Sequence, residues 1–235
     1  MKRYNTIMKL HFASMFIPFV SSFITPQAGN PRYLNGVPLN MVAEDAQVIL
    51  ITGSSQGLGQ AMACAMAKEG QKVVVNYITG CDEAADATVE EIKELGGDAI
   101  AIQGDCSDPA QVKDLFKQAI DHYGHVDVLI NNAGITRDNL VARMKPRDWE
   151  LVLSVNLSGV FYCTQEFYKH AMTRKTGRII NMASVVGQIG NPGMSLYSCL
   201  LSPGFKSRHS QPLRSSFYIL QARLIMLPQK EESSV

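Results

Sequence analysis

Acidic residues are missing from the first 43 positions of this 235-residue chain: Glu44 is the first, although 21 Asp and Glu occur in the whole. Lys2, Arg3 and Lys9 precede an apolar patch from Leu10 to Val20 that Ser14 and Pro18 interrupt. That patch is too short and broken for a bilayer span, which takes about 20 consecutive apolar residues. A basic start without acids suits a targeting presequence, so residues 1–43 are expected to be that or a disordered extension. Paired cysteine motifs are lacking too. Cys64, Cys81, Cys106, Cys163 and Cys199 are odd in number and form no C-x-x-C, which argues against a disulfide framework or a zinc site and predicts buried thiols in a reducing compartment. No metal is expected. Nor is there an excess of either charge: 22 Lys and Arg against the 21 acids leave +1, no electrostatic footprint for nucleic acid. What remains, 46% hydrophobic and 18% charged residues, is the ordinary make-up of a chain that builds one sizeable core.

The chain is organised around Val48-Ile49-Leu50-Ile51-Thr52-Gly53-Ser54-Ser55-Gln56-Gly57-Leu58-Gly59. Four apolar residues in succession read as a strand buried on both faces, as in a parallel sheet covered by helices. Gly53 permits a tight turn out of the strand, Gly57 lets the backbone approach a pyrophosphate, and Gly59 lets the following helix pack close to the sheet. Amides of Ser55, Gln56 and Leu58, with the positive end of that helix, would hold a dianionic phosphate group. A second apolar run, Lys72 to Asn76, follows one helix length later and completes the βαβ unit that such a loop requires.

The alternation continues. A helix over Asp82 to Leu95 is closed by Gly96-Gly97, and Ala99 to Ile102 is a third strand. Pro109 fits the first turn of a helix running to about His122, and Val126 to Ile130 is a fourth buried strand. The expected fold class is α/β, a doubly wound parallel sheet of Rossmann type.

The fourth strand ends in Asn131-Asn132-Ala133-Gly134. Together with Thr-Gly-x3-Gly-x-Gly, this resembles the short-chain dehydrogenase/reductase superfamily. Ile135 to Leu140, Arg143-Met144-Lys145, Trp149, Val155-Asn156-Leu157, Gly177 to Asn181 and Ser184 to Gly187 look like the 3-oxoacyl-acyl-carrier-protein reductases of fatty acid synthesis. The resemblance runs from about Gln47 to Gly193. It divides the chain into residues 1–43, an incomplete dehydrogenase domain at 44–193 that lacks the family's C-terminal strands, and a tail at 194–235 unlike the family. Within that tail the apolar patch Phe217 to Leu227 could pair as either helix or strand.

What the resemblance implies is reduction of a 3-oxoacyl thioester by a nicotinamide cofactor. The site residues it carries over are Asn156, holding a water in a proton relay, Ser184, orienting the carbonyl, and Tyr197, donating the proton. The alternative for Ser184 is a helix or turn cap after the strand Ile179 to Met182. Tyr197 lies thirteen residues after Ser184, as the family places it, but Leu201 stands where the family has the lysine that lowers the tyrosine pKa. Asn76, Asp105 and Cys106, then Asn132, Ala133 and Gly134, match positions beside the cofactor, although Asp105 could be a local cap. No acid ends the second strand, so a 2′-phosphate meets no repulsion and NADPH is the expected cofactor. Lys169, Arg174, Lys175 and Arg178 form a basic cluster that would either meet an acidic carrier protein or be a solvated helix end. The family assembles as homo-oligomers, and the order of elements in the first 43 residues is similar to a plastid presequence, with mitochondrion, ER or cytoplasm as the other destinations.

Overall fold

The computed structural model describes residues 46–184, together with backbone strands at 33–34, 37–38 and 223–226. Five strands run parallel. They are β1 (Val48–Ile51), β2 (Lys72–Tyr77), β3 (Asp98–Gln103), β4 (Val128–Asn131) and β5 (Arg178–Asn181). A sixth, β6 (Arg223–Met226), lies antiparallel on β5, so the order across the sheet is β3-β2-β1-β4-β5-β6. The parallel, doubly wound expectation holds for β1 to β5. The addition is β6, which falls within the tail patch and satisfies the hydrogen-bonding groups along the outer edge of β5. Outside this sheet, Tyr33–Leu34 pairs antiparallel with Val37–Pro38.

Each central strand splits its apolar residues between two cores. Ile49, Ile51, Val73, Val75, Ile130 and Ile180 face one side, packed with Met62, Met66, Val89 and Ile92 from α1 (Gly57–Lys68) and α2 (Asp82–Glu94). Val48, Leu50, Val74, Leu129 and Ile179 face the other, against Val112, Leu115, Phe116, Cys163 and Phe167 from α3 (Pro109–Tyr123) and α5 (Val160–Arg174). The period-2 alternation of strand side chains is what makes an unbroken apolar run serve both layers. Between β4 and α5 lie α4 (Pro146–Leu153) and a π-helical stretch, Ser154–Gly159, which joins α4 to α5 without a break in the chain's helical course.

The first helix starts at Gly57, inside the glycine loop, with Gln56 the extended residue before it. One strand boundary differs from expectation, for a local reason. Asp127 is excluded from β4. Its carboxylate instead accepts the Val48 amide at 2.9 Å and holds Arg174 at 2.7 Å, tying the entrances of β1 and α5's end together.

The sheet order reverses between β1 and β4. In open α/β sheets ligands bind in the crevice outside the carboxyl ends of the strands at such a reversal. The glycine loop follows β1 and Asn132-Ala133-Gly134 follows β4, so the two stretches singled out by sequence flank the same crevice.

Candidate functional site

Thr52 is the pin of the crevice. Only 1% exposed, its amide donates to the Ile130 carbonyl at 3.0 Å, while its hydroxyl oxygen accepts the amides of Asn132 at 2.9 Å and Ala133 at 3.0 Å. The Asn132 carboxamide returns the connection, donating to the carbonyls of Thr52 at 2.9 Å and Gly53 at 3.1 Å. Residues about eighty apart in sequence are thus locked into one corner.

Glycine is required in the loop for two different reasons. Gly53 and Gly57 have φ of 62° and 63°, the left-handed region that L side chains avoid. Gly59 has ordinary dihedrals but no room: a Cβ there would sit 2.5 Å from the Gly53 carbonyl oxygen and 2.6 Å from Ser54 Cα. The first turn of α1 therefore lies directly on the loop. Gln56, the residue before that turn, caps it with no side-chain hydrogen bond, and no acidic residue occupies the turn itself. A helix start left in this condition offers its amides and positive dipole end to an anion. The cradle fits a diphosphate.

Asn76 is 1% exposed, and its carboxamide is used inside the protein: Oδ1 accepts the Gly53 amide at 3.1 Å, and Nδ2 donates to the Gly104 carbonyl at 2.9 Å. It braces the loop from β2, because its side chain points into the sheet's interior and finds partners there. The Asp105 carboxylate accepts from the amide and hydroxyl of Ser107, at 2.8 and 2.7 Å, an Asx turn, whereas the residue that caps α3 is Asp108. Cys106 is buried and its thiol donates to Asn76 Oδ1 at 3.5 Å, placing it beneath the crevice floor. A hydrogen bond to Cys106 and then burial push the Cys163 thiol up, and burial followed by Glu91 pushes Cys64 up to about 11, so these are protonated, unreactive thiols. Cys64, Cys81, Cys106 and Cys163 are all free. Among the described residues no group of three or more metal-ligating side chains occurs.

Asn156 lies in the π-helical stretch, and Gly134 packs beside it, with a glycine-134 Cβ position 3.5 Å from Asn156 Oδ1. Its carboxamide clamps one backbone unit, Oδ1 accepting the Ile135 amide at 2.8 Å and Nδ2 donating to the Ile135 carbonyl at 2.9 Å. A π-turn re-aims a helical side chain, and here it directs Asn156 at the segment leaving β4. One lone pair and one N–H of the amide are used in this way, and the side chain braces that segment. Ser184 is half-buried three residues past the end of β5, on the same edge of the sheet. Tyr197, Leu201 and Cys199 lie outside the described residues.

The basic cluster is partly neutralised. Lys169 pairs with Glu166 at 2.6 Å and Arg174 with Asp127 at 2.7 Å, while Lys175 terminates α5 in a left-handed conformation at φ 56°. Thr52 stands in the sequence only as the first letter of the Thr-Gly-x3-Gly-x-Gly motif, with no role of its own, and Thr88 is not singled out there at all. Thr88, fully buried in α2, donates to the Ser55 carbonyl at 3.0 Å. A signal existed for the second: a threonine standing among Ala85, Val89 and Ile92 on a helix's apolar stripe.

A family model described as short chain dehydrogenase matches residues 47–199. Among curated proteins the chain is 51% identical over 158 residues to a 3-oxoacyl-(acyl-carrier-protein) reductase of Synechocystis sp., covering 67% of this chain and 64% of the relative. It is 48% identical over 148 residues to the reductase of the same name from Staphylococcus aureus, covering 63% of this chain and 60% of that one. The chain thus spans under two thirds of the length of these relatives. Among solved structures it is similar to an NAD+-bound xylitol dehydrogenase, with a TM-score of 0.63 and 28% identity over 66% of this chain and 59% of the other.

Proposed function

Because the chain belongs to the short chain dehydrogenase family, we propose that it is an NADPH-dependent oxidoreductase that reduces a 3-oxoacyl thioester on acyl carrier protein to the 3-hydroxyacyl thioester. The observation that carries this reading is the glycine loop at the sheet reversal, where Gly59 leaves no room for a side chain and α1 presents an uncapped start. The two relatives that bear the reductase name support the substrate class. The cofactor, when bound, supplies a hydride for the ketone carbon.

Placement and protonation are this chain's share. Loop amides of Ser55, Gln56, Gly57 and Leu58 hold the diphosphate, and Thr52, Asn76 and Asn132 keep that loop in shape. Asn156 holds the Ile135 backbone in place, and so fixes the segment that leaves β4 beside Gly134. The Ser184 hydroxyl orients the ketone oxygen and the Tyr197 phenol donates the proton that converts it to the alcohol. NADPH is favoured over NADH because β2 ends in Asn76-Tyr77, without a carboxylate to repel a 2′-phosphate. A second copy of the chain is the expected partner: Leu157, Phe161, Tyr168 and Met172 fall within one narrow face at helical spacing and are 54, 59, 43 and 58% exposed.

One observation favours a second reading, nucleotide binding without efficient turnover. Leu201 occupies the place of the family's lysine, so the ammonium that would lower the Tyr197 pKa from about 10 is missing. Purified protein incubated with NADPH and acetoacetyl-acyl carrier protein separates the two, NADPH consumption being followed by absorbance and NADPH affinity by calorimetry. Turnover supports reduction; tight binding without it selects the second reading. Oxidation of polyols with NAD+ and no reduction of acetoacetyl thioesters would overturn the substrate class.

A further inference from the structure

Thr88 sits in the middle of α2, completely buried, on the stripe that also carries Ala85, Val89 and Ile92. Its single hydroxyl proton is shared between two carbonyl oxygens, Ala84 at 2.9 Å and Ser55 at 3.0 Å. The first is the bond to the preceding turn that a helical threonine commonly makes. The second reaches back 33 positions to the glycine loop.

Ser55's carbonyl and Gln56's amide belong to one peptide unit, which is planar, and the described chain contains no cis bonds. In a trans unit the C=O and N–H point in opposite directions. Holding the oxygen against α2 therefore turns the Gln56 N–H away from α2, on the side where Gln56 and Gly57 are exposed. The earlier part of the loop has its own anchors: the Gly53 amide is held by Asn76 Oδ1 at 3.1 Å, the Ser54 amide by the Asn76 carbonyl at 2.8 Å, and the Ser54 hydroxyl donates to Ile51 at 2.7 Å. Beyond Ser54 the hold passes to Thr88. A valine would fill the same space and leave a buried carbonyl free to swing.

We infer that Thr88 is a positioning residue for the cofactor diphosphate, setting the Ser55–Gln56 peptide so that the Gln56 amide faces the phosphate oxygens. This rests on the nucleotide-binding reading above. Alignment of a donor before the ligand arrives strengthens binding because no reorganisation is needed on contact.

The test is calorimetric titration of NADPH into the wild-type chain and into Thr88→Val and Thr88→Ser, each checked for folding by circular dichroism and thermal melting. Thr88→Val is expected to bind about tenfold more weakly, the size of one hydrogen bond, and Thr88→Ser, which keeps the hydroxyl, within about twofold of wild type. Thr88→Ala carries the same readout if the valine variant does not fold. Equal affinity of wild type and the folded hydroxyl-free variant overturns the inference alone, as does a serine variant as weak as the valine one. Failure of the wild type to bind either NADPH or NADH overturns the nucleotide reading and this inference with it.

Discussion

At the scale of single residues, the crevice is held by side chains that touch backbone. Thr52 is the sharpest case, since one hydroxyl oxygen accepts two amides from the segment after β4. Thr52→Val keeps the shape and strands both donors in a buried corner. A buried unsatisfied group costs about 1–3 kcal/mol, so the expected loss is about 3 kcal/mol of unfolding free energy, measured by urea denaturation. Gly59→Ala tests close packing instead of hydrogen bonding. With backbone atoms at 2.5 and 2.6 Å from the new Cβ, α1 must move off the loop, and the expected outcome is loss of measurable NADPH binding with destabilisation of about 1–3 kcal/mol. Leu201→Lys addresses chemistry. Restoring an ammonium four positions after Tyr197 is expected to raise kcat for acetoacetyl thioester reduction by about a hundredfold, read in steady-state kinetics.

Elements add constraints that no single residue carries. The chain turns from α4 into α5 through a π-helical stretch, and Gly159 at its end packs against the loop after β3, where a Cβ would lie 3.1 Å from the Cys106 carbonyl oxygen. The irregular turn thus sets the height of Asn156 over Ile135 and at the same time seats α5 on the sheet. The outer face of that element is apolar at Leu157, Phe161, Tyr168 and Met172, an arrangement that leaves water against large side chains unless another surface covers it. Phe161→Glu with Met172→Glu is expected to shift the protein toward monomer in light scattering while leaving its circular dichroism unchanged. An unaltered mass would remove the self-association reading. Of the basic residues near the end of α5, Lys169 and Arg174 already face Glu166 and Asp127.

For the whole molecule, the entrance edge of the sheet is a cluster of ionisable groups away from the crevice. Asp127 faces His125 at 3.1 Å and Arg174 at 2.7 Å, and His170 lies nearby with its pKa lowered by burial, then by Arg174 and His125, against the opposing pull of Asp127. A histidine whose folded pKa is below its unfolded value of 6.5 binds fewer protons folded than unfolded in the interval between them. Its neutral form supports the fold above the unfolded pKa, and stability falls as pH drops through that value toward the folded one. Thermal melting between pH 7.5 and about pH 5 is expected to show this decline, and His170→Gln to flatten it.

Much of this architecture was legible in the letters, and the reason is local. Apolar runs at Val48 to Ile51, Lys72 to Asn76 and Ala99 to Ile102 declare buried strands, and Pro109 and the paired glycines at 96–97 punctuate the helices, because periodicity and turn chemistry act over a few residues. The glycine loop and Asn132 to Gly134 were likewise recognisable as site material. What could not be read was which polar side chain meets which backbone group. Asn76 braces the loop from β2, and Thr52 and Thr88 hold it from two other sides, roles that their places in the sequence do not spell out. Composition and pattern by themselves determined the strands, the helices and the place where the chain turns through glycines from β1 into α1. The tertiary structure alone decided the partners, since a hydrogen bond between groups 33 or 80 positions apart depends on two elements arriving in register, and no neighbouring residue records that distance.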